Sequence, residues 1–100
     1  MRPKGWWRAM GVPSDDEFKD YLRGLFEGYA IYFDRERGPS TIIFYFVNDL
    51  DEVGRELERG GRLSLTERGP TSLRFRDGKA GVDILLARRH AIIMGIATRP

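Results

Sequence analysis

The chain has 100 residues, of which 41% are hydrophobic and 32% charged, and its formal net charge at pH 7 is +2. This composition is typical of one folded domain with a single core, and it argues against a disordered chain. Because cysteine is absent, the sequence excludes disulfides, thiolate nucleophiles and cysteine-ligated zinc or iron–sulfur sites.

The basic residues are mostly arginine, since Lys4, Lys19 and Lys79 are the three lysines among seventeen. Asn48 is the one asparagine, and glutamine is absent. A shortage of thermolabile residues beside abundant arginine and glutamate is typical of thermophile proteins, so we expect a thermophilic source. No apolar run has the length of a signal-peptide core or a membrane span, so we expect a cytoplasmic protein without membrane contact.

The first twelve residues are predicted to form a basic arm that carries Trp6, Trp7 and Arg8 and is interrupted by proline and glycine. A single domain is expected from residue 13 to residue 100. Ser14 and Glu17 have the spacing of a capping box, which predicts the start of a helix. Apolar residues then recur at helical spacing before Gly28, at Phe18, Leu22, Leu25 and Phe26.

Two strands and a second helix are predicted next. Tyr29–Phe33 alternates in polarity, and Thr41–Val47 is β-branched or aromatic throughout. The second helix is expected to begin at the capping residues Asn48 and Asp49 and to be ended by Gly60 and Gly61.

The remainder of the chain is predicted to form a meander of four short strands. Their expected ranges are Arg62–Glu67, Ser72–Arg76, Ala80–Ala87 and Ala91–Ala97, the last two joined by a turn at Arg88, Arg89 and His90. The fold class is therefore α+β, in the order α-β-β-α-β-β-β-β. We expect two short helices packed on one face of a mainly antiparallel, meandering sheet of five to six strands.

The dipeptide Asp77-Gly78 predicts a two-residue hairpin turn of type I′. Such a turn fixes the pairing of the strands on either side of it. The pairs that it predicts are Arg76 with Lys79, Phe75 with Ala80, Leu73 with Val82, and Ser72 with Asp83. One face of this hairpin would then be apolar, and the other would carry Arg74, Arg76 and Lys79.

Two of the predicted strands are apolar on both of their faces. In the strand from Thr41, one side carries Ile42, Phe44 and Phe46, and the other carries Ile43, Tyr45 and Val47. In the last strand, one side carries Ile92, Met94 and Ile96, and the other carries Ile93 and Ala97. Such strands are usually covered on both faces. Two helices can cover one face, so the other must be covered by the arm with Trp6 and Trp7 or by a second copy of the chain in a homodimer. Trp6, Trp7, Ile43 and Tyr45 are the candidate interface residues.

The basic residues suggest a second possibility, which is nucleic-acid binding. Arginines beside exposed aromatic rings suit a single strand, because bases stack on the rings and guanidinium groups bind phosphates. The candidate contacts are Arg8, Arg74, Arg76, Lys79, Arg88 and Arg89, with Trp6 and Trp7 as stacking residues. Against this possibility, the acidic residues nearly balance the basic ones, and the strongly basic composition of many nucleic-acid binders is missing.

The sequence offers little to support catalysis. His90 is the one histidine, no serine has a nearby base, and neither a phosphate-binding loop nor a dinucleotide fingerprint is present. We therefore predict no catalytic residue, metal or cofactor. The sequence leaves one alternative open, a hydrolytic or Mg²⁺-dependent site built from carboxylates alone, for which Asp34 and Glu36 near a strand end are the candidates. The hypothesis from the sequence is a non-enzymatic interaction module that homodimerises through an apolar sheet face, and the alternative is a nucleic-acid-binding protein.

Overall fold

Two helices and a six-stranded sheet make up residues 15–36 and 40–99, which the computed structural model describes. The helices are α1 (Asp15–Leu25) and α2 (Leu50–Gly60). The strands are β1 (Tyr32–Glu36), β2 (Thr41–Phe46), β3 (Ser64–Arg68), β4 (Ser72–Asp77), β5 (Val82–Arg89) and β6 (Ile92–Thr98). The α+β class and the predicted order of elements are confirmed, while the arm of residues 1–12 and the Ser14 cap lie outside the described residues.

The sheet is antiparallel throughout, with strand order β1-β2-β6-β5-β4-β3. Strands β3 to β6 form the predicted meander, and the β1–β2 hairpin joins it beside β6. The two edge strands are β1 and β3, and each is irregular. The pairing shifts between Phe33 and Arg35 in β1 and between Leu65 and Glu67 in β3.

Both helices pack on the same face of the sheet and enclose one core. Phe26 follows α1 and lies 5.4 Å, between ring centroids, from both Phe44 and Phe46 of β2. Helix α2 buries Leu50, Val53 and Leu57 in the same cluster, as its spacing predicts. The sheet contributes alternate residues to this core, namely Ile42, Phe44, Phe46, Leu73, Phe75, Val82, Ile84, Leu86, Ile93 and Ala97.

Strand β1 begins three residues later than its sequence pattern predicts. After α1, the amide of Tyr29 donates a hydrogen bond to the carbonyl of Phe26, and Gly28 has a positive φ of 94°. The ring of Tyr29 then packs against those of Phe26 and Phe46. This turn uses residues that alternation alone assigns to the strand.

The ends of α2 agree with the prediction from its capping residues. The Asp49 carboxylate accepts hydrogen bonds from the amides of Asp51 and Glu52, which satisfies donors that the first helical turn leaves free. At the other end, Gly61 adopts the left-handed conformation with φ of 72°, and its amide donates to the carbonyl of Glu58.

The turn between β4 and β5 differs from the predicted two-residue type I′ turn. The observed pairs are Arg76 with Asp83, Phe75 with Ile84, Leu73 with Leu86, and Ser72 with Ala87. Residues 78–81 form the connection, and the amide of Gly81 donates to the carbonyl of Asp77. The predicted register was wrong because Asp77 ends β4 as a buried residue, 3% exposed, whose carboxylate accepts from the amides of Lys79 and Ala80. These bonds stabilise a wider turn.

A two-residue turn does occur in the next hairpin, at His90 and Ala91. Arg89 pairs with Ile92, and His90 adopts a positive φ of 59°. Arg88 and Arg89 therefore belong to β5, and the predicted turn at residues 88–90 is corrected to residues 90 and 91. Histidine is among the residue types that enter this left-handed region more readily.

Gly95 leaves room in the core for an aromatic ring. It pairs with Phe44 across the β2–β6 ladder, and a Cβ atom at residue 95 would lie 2.2 to 2.6 Å from three atoms of the Phe44 ring. Both residues lie in the interior of the domain. The Phe44 ring thus occupies the space that a side chain on Gly95 would need.

We expect Gly95→Ala to lower the free energy of unfolding by about 2–3 kcal/mol, because a buried ring must move to admit the new methyl group. Gly24→Ala in α1 is the control. It meets no atom within 4 Å, so it should raise the free energy of unfolding by about 0.5–1 kcal/mol. Urea denaturation of both variants measures the two effects, and an unchanged midpoint for Gly95→Ala would contradict the assigned contact.

Candidate functional site

The face of the sheet opposite the helices, called here the open face, carries an apolar patch. Residues that alternate with the core positions point to this face. Its apolar members are Tyr32, Ile43, Tyr45, Val47, Leu85, Ala87, Ile92, Met94 and Ile96.

Strand pairing arranges the patch in rows that cross the sheet. Ile43, Ile96 and Leu85 are direct partners across β2, β6 and β5. The next row joins four residues across β1, β2, β6 and β5, which are Tyr32, Tyr45, Met94 and Ala87. The residues of these rows are therefore close enough to form one continuous apolar surface.

The most exposed large apolar side chains of the described ranges all belong to this patch. They are Tyr32, 68% exposed, Val47, 65% exposed, and Ile92, 43% exposed. Ile43, Tyr45, Leu85, Met94 and Ile96 are half-buried. A contiguous apolar patch with a polar border is characteristic of an interaction surface.

Polar residues limit the patch on three sides. One end of the sheet carries a row of partners across five strands, which are Thr41, Thr98, Asp83, Arg76 and Ser64. Strand β4 limits the patch laterally with Ser72 and Arg74, the direct partners of Ala87 and Leu85. At the β1 edge, the Tyr45 hydroxyl donates to the Asp34 carboxylate over 3.2 Å.

The predicted basic face of β4 is present, but each of its arginines lies beside an acid. Arg76 donates to Asp83 over 2.9 Å, and Arg74 lies 3.6 Å from Glu67. Both arginine side chains are 46% exposed. Ion pairs at such exposure contribute about 0–1 kcal/mol each, so they balance charge more than they stabilise the fold.

The structure brings some of the predicted basic residues together and separates others. Arg89 shares the open face with Arg74 and Arg76, because its partner Ile92 belongs to the patch. Arg88 pairs with the core residue Ile93 and so points toward the opposite face. Lys79 lies at the other end of β5, in the β4–β5 turn. The remaining candidates, Trp6, Trp7 and Arg8, lie outside the described residues.

A polar cluster that was not predicted from the sequence forms around Asp77. Its Oδ2 atom accepts from the Tyr21 hydroxyl over 2.7 Å and from Arg62 Nε over 3.3 Å. The guanidinium of Arg62 also lies over the Tyr21 ring, 4.8 Å from its centroid. The cluster joins α1, the end of β4 and the segment before β3. Its one sequence signal was an acid at an inward position, two residues after Phe75.

The Asp77 cluster alters the acidity of its members. Burial raises the pKa of the Asp77 carboxyl group, but hydrogen bonds from Tyr21, Ala80, Arg62 and Lys79 outweigh burial and hold this pKa below its ordinary value. Burial, together with the hydrogen bond to the Asp77 carboxylate, raises the pKa of Tyr21. Both oxygens of Asp77 are engaged by donors, so the cluster is best explained as a structural link.

Across residues 15–36 and 40–99, no group of three histidine, aspartate or glutamate side chains is placed to hold a metal ion. Neither helix of this part of the chain is long and apolar enough to cross a membrane.

Comparison with known proteins gives no match for this chain. No family model matches its sequence, no curated protein is significantly similar, and no solved structure matches significantly. The open face and the residues that border it are therefore features of this protein that bear on its function.

We expect Asp77→Asn to lower the free energy of unfolding at neutral pH by about 1–3 kcal/mol, because the substitution removes hydrogen bonds to a buried carboxylate. In the wild type, the Asp77 carboxylate makes its full contribution to stability above about pH 3.9, the pKa of aspartate in an unfolded chain. This contribution is lost as the pH falls through the lower pKa that Asp77 has in the folded protein. The stability difference should therefore shrink when urea titrations are repeated from about pH 6 down to about pH 2.

Asp83→Asn is the matched control, since Asp83 has a surface partner and is 46% exposed. It should cost at most about 1 kcal/mol. A difference between the wild type and Asp77→Asn that stays constant over the whole pH range would show that the carboxylate charge does not contribute.

Proposed function

We propose that this protein is an interaction module that homodimerises through its open face. One observation supports this proposal above all. Both helices cover one face of the sheet, while the opposite face presents a continuous apolar patch that includes Tyr32, Val47 and Ile92. An apolar surface can pack against a copy of itself, which is what a two-fold interface requires.

The edges of the sheet are poorly suited to association, which supports the face as the contact surface. Both β1 and β3 contain an irregularity that interrupts regular pairing. Strand β3 also presents the exposed residues Thr66, Glu67 and Arg68. Bulges and charged side chains on edge strands discourage pairing with another chain.

Nucleic-acid binding is the second candidate, and one observation favours it. Tyr32 and Tyr45 are direct partners on the open face, so their rings could receive stacked bases, with Arg89 on the same face. The pairing of Arg74 with Glu67 and of Arg76 with Asp83 weakens this proposal, because a phosphate would have to compete with each carboxylate.

We expect Val47→Glu to shift the protein from dimer to monomer in light scattering or sedimentation over the micromolar range, because a charge would be buried without a partner. Val47 is 65% exposed in the single chain, so the fold itself should tolerate the change. Arg55→Gln on the outer surface of α2 changes the net charge by the same one unit and should leave the dimer intact.

A monomeric wild type would contradict the homodimer. In that case, Trp6 and Trp7 can reveal whether the N-terminal segment covers the patch, since the chain has two tryptophans and both lie there. A change of tryptophan emission in monomeric Val47→Glu would then favour this segment as the occupant. A complex with a single-stranded oligonucleotide that weakens steeply with salt would instead favour the nucleic-acid alternative.

A further inference from the structure

We infer that a cleft between the end of α2 and the β4–β5 turn binds a phosphate group, and that Arg62 and Lys79 are the two cations that hold it. The cleft does not involve the open face, because Asp77, which lies in its lining, points to the helix-covered side of the sheet. Binding there is therefore independent of the homodimer.

The cleft is large enough for a small molecule and has low walls. Its volume is about 760 Å³, within the range of small-molecule sites. Its lining includes Gly60, Gly61, Arg62, Asp77, Gly78 and Lys79. A Cβ atom added to any of these three glycines would meet no atom within 4 Å, so a ligand can approach the backbone closely.

Arg62 is held in one orientation by two contacts. Its Nε atom donates to Asp77 Oδ2 over 3.3 Å, and its guanidinium lies over the Tyr21 ring, 4.8 Å from the centroid. In the part of the chain that the structure describes, no acceptor is bonded to its terminal Nη atoms. A guanidinium that is already oriented loses little freedom when it binds an anion.

The negative charge of Asp77 is already matched by donors. One carboxylate oxygen accepts from the Tyr21 hydroxyl and from Arg62, and the other accepts from the amides of Lys79 and Ala80. These four donors offset the repulsion that a bare carboxylate would exert on an anionic ligand. Within the cleft, Asp77 is thus a positioning residue that orients Arg62.

Lys79 supplies the second cation. Its amide is held by Asp77, while its exposed ammonium group has no partner among the described residues. The lining therefore carries two positive charges against one negative charge. A phosphate ester carries about −1.5 to −2 charges at pH 7 and three acceptor oxygens, and an arginine fork can bind two of these oxygens at once. A carboxylate, with one charge and two oxygens, would use fewer of these donors.

The test is an amide NMR titration of the full chain with inorganic phosphate and with ribose 5-phosphate. The amide signals of Gly60, Gly61 and Gly78 should shift and saturate. Sodium chloride at the same ionic strength should not shift them, and acetate should bind more weakly than phosphate. Tighter binding of ribose 5-phosphate would identify an organic phosphate as the ligand, whereas equal binding would identify free phosphate.

Two variants test the assigned cations. Lys79→Gln should weaken phosphate binding by about three- to tenfold, and because the ammonium group has no partner, the fold should be unaffected. Arg62→Lys keeps the charge but removes the planar fork, so a loss of about tenfold is expected. Arg55→Gln on the outer surface of α2 removes one positive charge away from the cleft and should leave binding unchanged.

Three results would overturn the inferred site. They are the absence of a saturable shift with both phosphates, acetate binding as tight as phosphate binding, and wild-type affinity in both Lys79→Gln and Arg62→Lys. A monomeric wild type would refute the homodimer but would leave the expected phosphate shifts unchanged, so the two proposals can fail separately.

Discussion

The structure depends on one constraint, which is that strands β2 and β6 carry apolar residues on both of their faces. One face supplies Phe44, Phe46 and Ile93 to the core, and the other supplies Ile43 and Ile96 to the open face. Two helices of eleven residues each can cover one side of six strands. Within residues 15–36 and 40–99, the fold therefore forms a core on one side of the sheet and leaves apolar surface on the other. The proposed function follows from this imbalance.

The sequence predicts those parts of the fold that depend on neighbouring residues. The alternation of β2, the Asp49 cap and the Gly61 stop are local patterns, and the structure bears them out. The β4–β5 register was predicted wrongly because Asp77 is buried, where its carboxylate accepts from the amides of Lys79 and Ala80 and from the hydroxyl of Tyr21, which lies 56 residues away in the chain. A contact of that range leaves no mark on the turn dipeptide, so turn propensity alone favours the shorter loop.

The candidate surface shows the same division between local and distant information. Ile43 and Tyr45 were identifiable because a strand with two apolar faces is visible in the sequence. The contribution of Leu85 and Tyr32 depends on strand order, since β5 and β1 reach the patch through pairing with β6 and β2. Neither that order nor the partners of Arg74 and Arg76 can be obtained from spacing within one strand.

Contacts with aromatic rings explain part of the bias toward arginine. Arg23, Arg62 and Arg99 place their guanidinium groups 4.7 to 4.9 Å from the ring centroids of Phe33, Tyr21 and Phe18. These contacts lie at the border of the helix-covered core, where a flat cation can shield a ring and stay hydrated. Lysine, with its compact charge, would cover these rings less well, so the composition serves the fold as well as the surface.

The fit between Gly95 and the Phe44 ring has an evolutionary consequence. Because one ring fills the volume that two side chains would otherwise share, the two positions are not free to change independently. A lineage that gains a larger residue at position 95 must also lose the aromatic ring at position 44, or accept a less stable sheet beneath the surface on the reverse side of the same two strands. Covariation of this pair would therefore mark descendants that retain this sheet.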